Sequence, residues 1–129
     1  MKLLLDTCTF LWIVFDDRQA LTARVIELYQ SVENDLYLSS ASALEIAIKY
    51  SSKRLVLAEA PDRFVPRQRA AHRVHPLPID EESACRAGQL PWLHRDPFDR
   101  ILIGQAIVHG LTLVTPDTVI AKYHVRTIW

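Results

Sequence analysis

Four carboxylates fall where a fold could gather them. Asp6 closes the apolar run KLLL at residues 2–5. Glu45 lies inside SALEIAIKY. Asp99 follows Asp96 by three in HRDPFDRIL, residues 94–102, and Asp117 comes after LTLV and the turn Thr115-Pro116. Bringing like charges to ~4 Å costs about 4 kcal/mol per pair at an effective dielectric near 20, so a fold that collects such acids needs a proton or a cation to offset them. Hard divalent ions take oxygen ligands, and magnesium or manganese suits a carboxylate site that has neither thiolate nor clustered histidine. Each acid also has a plainer role. Asp6, Asp96 and Asp117 precede helical segments, where aspartate caps free amides; Asp96 is the natural cap of a helix that opens with Pro97. Glu45 and Lys49 are spaced as an ordinary i, i+4 ion pair on a stripe with Ser42 and Ser52. Asp80, leading DEES, has the pattern of a structural cap and serves as a control.

The elements that must position these acids follow from periodicity. Short apolar runs at 2–5, 36–39, 74–79, 111–114 and 126–128 predict strands. Helical spacing over about 7–15, 20–33, 41–54, 61–72, 80–88, 97–109 and 117–122 fills the intervals. Alternation of this kind predicts an α/β fold with right-handed crossovers and a mainly parallel sheet of about five strands, covered on both faces. Asp6 and Asp117 then lie at carboxyl ends of strands, the edge where open parallel sheets place their sites. If the first and fourth strands flank the point where strand order reverses, the four acids converge in one cleft.

Composition limits the alternatives. The 129 residues are half hydrophobic, enough for a single domain with one sizeable core, expected over 1–129. Fifteen basic and fifteen acidic side chains cancel, so any nucleic-acid binding must come from local patches. Arg63, Arg67, Arg69, His72, Arg73 and His75 make one such run, equally readable as a solvated helical face. Asp6 interrupts the opening apolar run, and no stretch approaches the ~20 apolar residues of a membrane span, which predicts a cytoplasmic protein without a membrane partner. Cys8 and Cys85 lack metal-site spacing and read as free thiols. Trp12, Trp92 and Trp129, in apolar contexts, are expected in the core.

Taken in order, LLLDTCTFLW, SALEIAIKY, HRDPFDRILIGQA and LTLVTPDTVIAKY span nearly the whole chain and together resemble the PIN-domain ribonucleases, in particular VapC-like toxins of toxin–antitoxin pairs. The resemblance implies a three-layer α/β/α sandwich, a Mg2+ or Mn2+ cofactor, an RNA substrate, a cognate antitoxin protein and a homodimer. Carried over by position, its acids are Asp6, Glu45, Asp99 and Asp117, with Asp96 as cap and supporting group. Ser52 stands where many relatives have glycine, Gly104 where alanine is usual, and TPD replaces the commoner TRD or TND; no acid is lost.

In that reading Asp6 and Asp99 hold the ion, Glu45 binds it or positions water, and Asp117 holds a second or weaker ion. Thr7 and Thr115 are placed to orient carboxylates. Arg63, Arg67, Arg69, Arg73, Arg95 and Arg100 are the candidate RNA contacts, the last two alternatively pairing with the acids. The competing reading is a protein-binding module of the same fold without chemistry. A phospho-acceptor receiver domain is disfavoured, because LLLDTC carries one acid rather than two and RTIW supplies no lysine after the fifth strand.

Overall fold

The computed structural model describes all residues from Met1 to Trp129. Its centre is β1 (Lys2–Leu5), the middle of a five-stranded parallel sheet with β2 (Asp35–Ser39), β3 (Val74–Leu77), β4 (Thr112–Val114) and β5 (Thr127–Ile128), in the order β3-β2-β1-β4-β5. Strand order therefore reverses between β1 and β4, and between β3 and β4 the chain crosses from the β3 edge past β2 and β1 to the far side of β1.

The period of two in KLLL divides the core into layers. Leu3 and Leu5 point to one face and join Phe10, Ile13, Ile46 and Phe64, carried by α1 (Thr7–Val14), α3 (Ser40–Ser51) and α4 (Pro61–Ala71). The helix α2 (Ala23–Gln30) closes this layer with Val25. Leu4 points to the other face, against Leu90, Leu102, Ile103 and Ala106, over which α5 (Glu81–Gln89) and α6 (Pro97–His109) pack. The result is the expected α/β/α sandwich.

Boundaries differ from expectation for identifiable reasons. The β3 ladder stops at Leu77, before Pro78, which has no amide to donate. The helix expected over 117–122 shrinks to one 3-10 turn, Ile120–Lys122, with the Asp117 carboxylate accepting the amides of Val119 and Ile120 ahead of it. The helix expected over 20–33 is trimmed to its capped interior, with Thr22 accepting the Val25 amide.

Gly104 has a packing reason. A Cβ there would lie 2.6 Å from the Ser83 carbonyl oxygen, so the absent side chain lets α5 and α6 approach. Gly110 ends α6 in the left-handed region, at φ 67°, and its amide returns to the Ala106 carbonyl. No helix is long and apolar enough to cross a membrane.

Candidate metal centre

The acids meet above the β1/β4 junction, each delivered by a different local device. Asp6 is the first residue beyond β1 and still pairs through its amide with the Val114 carbonyl, 3.1 Å away. One of its carboxylate oxygens accepts the Thr7 amide at 2.7 Å and the other the Thr115 hydroxyl at 2.6 Å. Asp6 is therefore a cap as well as a member of the site, and its carboxylate is fixed in direction. Burial pushes its pKa up, aided by the charges of Glu45 and Asp117 and opposed by Thr115 and Thr7.

Asp99 sits in the first turn of α6, behind the cap that Asp96 provides to the Phe98 amide at 2.9 Å. Its carboxyl is pushed up to about 7, first by burial, then by the charges of Asp6 and Asp96, with Glu45 adding and His94 subtracting. A helix N-terminus alone would lower that pKa; the neighbouring acids and burial override it. Glu45 projects from α3, salt-bridged to Lys49 at 3.0 Å, and its charge acts on both Asp6 and Asp99. The stripe drawn from sequence is only partly solvated: Ser42 is fully buried, accepting the Thr7 hydroxyl at 2.8 Å.

Asp117 completes the group, joined by a residue that sequence reasoning passed over. His94 Nε2 lies 2.9 Å from Asp117 Oδ2 and 3.1 Å from Asp99 Oδ2, and these three donor atoms form one cluster within 4.8 Å. Asp6 and Glu45 stand beside that cluster, in electrostatic range but outside it. Asp117, although desolvation opposes this, is held below its ordinary pKa by hydrogen bonds from His94, Val119 and Ile120. For His94 burial lowers the pKa, and the Asp117 hydrogen bond with the charges of Asp99, Asp117 and Asp96 outweighs it, leaving the imidazole raised. The only advance sign of His94 was its place two residues before the cap of α6.

The basic residues divide. Arg100 is a correction: it is 4% exposed and reaches neither phosphate nor carboxylate. Its guanidinium donates to the carbonyls of Ala87, Leu90, Pro91 and His94 at 2.9–3.1 Å, closing the end of α5 and the loop after it. Trp92 is a second correction, 73% exposed rather than in the core, its ring lying 3.9 Å over Arg100. Trp12 and Trp129, half-buried, pack against each other at the edge of the first core layer. Arg95 is exposed and lines a groove with Glu45, Lys49, Arg54, Asp96 and Phe98, directly beside the acids. The run on α4 and β3 is engaged locally: Arg67 pairs with Glu59, Arg69 donates to Val74 and Arg73 to Gln30, while Arg63 is exposed. Larger concavities around Tyr123 and His124 contain no carboxylate. Both cysteines are free; burial, then the Asp6 charge, pushes the Cys8 thiol up to about 12, an inert group.

The donor set fits a hard divalent ion. Carboxylates outnumber the cations beside them, and burial with the charges of the neighbouring acids outweighs the offset from His94 in raising Asp99 to about 7. A parallel α/β sandwich with an acidic centre at its switch point defines a class, and a family model describing the PIN domain matches residues 3–125. The chain belongs to the PIN domain family. Solved structures share the fold: VapBC2 from Rickettsia felis bound to a promoter DNA fragment (TM-score 0.72, 15% identity, covering 99% of this chain and 98% of that one), DNA-bound VapBC from Salmonella typhimurium (0.67, 19%, 99% and 97%) and FitAcB from Neisseria gonorrhoeae (0.59, 22%, 98% and 96%). The sequence has no match among curated proteins.

Proposed function

We propose that this chain is a metal-dependent endoribonuclease acting as the toxin of a toxin–antitoxin pair in the cytoplasm, with Mg2+ or Mn2+ as cofactor. The carrying observation is the convergence of Asp6, Glu45, Asp99 and Asp117 at the β1/β4 switch point with too little positive charge to balance them. Asp99 and Asp6 would hold the ion, with Glu45 and Asp117 as further oxygen donors. A bound divalent ion supplies an acidified water and charge neutralisation at the scissile phosphate.

The chain's own groups do the rest. The Thr115 hydroxyl and Thr7 amide fix the direction of the Asp6 carboxylate, and the Val119 and Ile120 amides fix that of Asp117. Lys49, Arg54 and Arg95 line the groove at the rim and offset the acids for an approaching polyanion, so RNA binding weakens as salt rises. Arg67, Arg69 and Arg73 extend that rim only by giving up local partners, whereas Arg63 is exposed and gives up none. Among the structural relatives are VapBC and FitAcB assemblies and a toxin–antitoxin complex from Klebsiella pneumoniae. This supports a cognate antitoxin here, and the family resemblance implies a homodimeric toxin.

The test is cleavage of a mixed structured RNA pool by wild type and Asp99→Asn, with Mn2+, Mg2+ or chelator, folding being followed by circular dichroism. Metal-dependent cleavage that disappears in a folded variant is the expected result. Absence of cleavage by wild type with every ion, joined to absence of ion binding by calorimetry, overturns the nuclease and leaves a binding module.

A further inference from the structure

A histidine touching two candidate ligands of an ion is ordinarily read as a third ligand, and that reading would draw the centre toward nitrogen-preferring transition ions. The hydrogen bonds around His94 point elsewhere. Its Nδ1 accepts the backbone amide of Asp96 at 3.2 Å. A backbone amide can only donate, so the neutral ring carries its proton on Nε2, the nitrogen that faces Asp117 Oδ2 and Asp99 Oδ2. A ligating Nε2 would have to be bare, which moves the proton to Nδ1 and sets it against the Asp96 amide.

The backbone that carries the ring is held as well. The Tyr123 hydroxyl accepts the His94 amide at 2.7 Å and donates to the Pro91 carbonyl at 2.7 Å, while Arg100 donates to the carbonyls of His94 and Pro91. Two side chains from different elements therefore pin the loop between α5 and α6, and the ring is 16% exposed. With the backbone fixed in this way, turning the ring over to present Nδ1 to the acids would cost it the bond from the Asp96 amide.

We infer that His94 is a positioning residue of the acid centre and not a metal ligand: its Nε2–H donates to Asp117, fixes that carboxylate beside Asp99, and leaves an all-oxygen site that accepts magnesium. The inference rests on the nuclease reading for the identity of the site. The donor function belongs to one N–H at one distance from the backbone, so glutamine, whose side-chain amide reaches as far, can replace it and phenylalanine cannot.

The test combines long-range proton–nitrogen correlation spectra of the imidazole with calorimetric titration of Mg2+ into wild type, His94→Gln and His94→Phe at pH 8. Expected are a protonated Nε2 before and after Mg2+, affinity within about threefold of wild type for His94→Gln, and a loss of at least about tenfold for His94→Phe, the scale on which orienting partners act. A pulsed electron-resonance spectrum of the Mn2+-loaded wild type should lack strong coupling to an imidazole nitrogen. Direct nitrogen coupling, or loss of the Nε2 proton on binding, makes His94 a ligand and overturns the inference, as does wild-type affinity in His94→Phe. These wild-type spectra decide the matter even if both variants unfold. Failure of wild type to bind either ion overturns this inference and the nuclease reading together; binding indifferent to His94 overturns the inference alone.

Discussion

Helix α6 carries a histidine–carboxylate pair at each end, and the two pairs behave oppositely. At its C-terminus His109 Nε2 meets Asp80 Oδ1 at 2.9 Å, and Asp80, which also caps α5 through the Ser83 amide and accepts the Ser83 hydroxyl, is held well below the ordinary carboxylate range. At its N-terminus His94 meets Asp99 at 3.1 Å, yet Asp99 is pushed up to about 7. The partner residue is the same. What differs is burial and company: Asp80 stands at an open corner where three donors reach it, whereas Asp99 is partly desolvated among Asp6, Asp96 and Glu45. An acid in surplus, rather than an acid with a histidine, marks the site.

The sharpest way to break that contrast is to neutralise each acid in turn. Asp99→Asn should cost at least about a hundredfold in metal-dependent RNA cleavage while the metal-free protein at pH 8 melts no lower than wild type, since a repelled charge is removed. Next in size is the clamp that holds the N-terminal pair. Arg100→Met takes the guanidinium from the carbonyls of Ala87, Leu90 and His94 and leaves Pro91 with Tyr123 alone, and should destabilise the fold by about 3 kcal/mol, or roughly 10 °C in melting temperature. Its circular dichroism melt would match wild type only if those carbonyls found water.

Acidity provides a third test, applied to metal-free protein. The raised pKa of Asp99 means its contribution to stability is present below the unfolded carboxylate value near 4 and is lost as pH climbs through about 7. Asp6 and His94, also raised, act in the same direction, while Asp117 and Asp80, lowered, stay ionised and stabilising above pH 4. The melting temperature should therefore fall between pH 5 and pH 8, and Mg2+ should restore it more at pH 8 than at pH 5. A profile that rises over that interval would remove the surplus of acid from the account. The smallest effect belongs to the control: Asp80→Asn keeps a capping side chain, should lower the melting temperature by only a few degrees, and should leave cleavage unchanged.

Much of this arrangement was legible in the chain itself, because it is written in local physics. KLLL announces a strand buried on both faces, Asp96-Pro97 opens a helix and Gly110 ends it. The parallel order then carries Asp6 and Asp117 to one edge. The residues that escaped are those whose role is made across the fold. His94 finds Asp117 23 positions away, and the Tyr123 hydroxyl meets its amide across 29. Arg100 looked like a surface cation beside an acidic motif until the end of α5 closed over it. Trp92, drawn toward the core by its apolar neighbours, is held outside as the cover of that guanidinium. The segment 117–122 has helical spacing, but one carboxylate answers its first amides and a 3-10 turn suffices.

The position of β1 in the middle of the sheet also governs when the acids can first act. The earliest strand to be synthesised waits for β4 before its second neighbour exists, and Thr115 reaches Asp6 across 109 positions of chain. During translation Asp6 is made long before Asp117, so a growing chain carries the first acid of the centre without the centre. The centre is thereby assembled only once β4 has emerged and paired with β1.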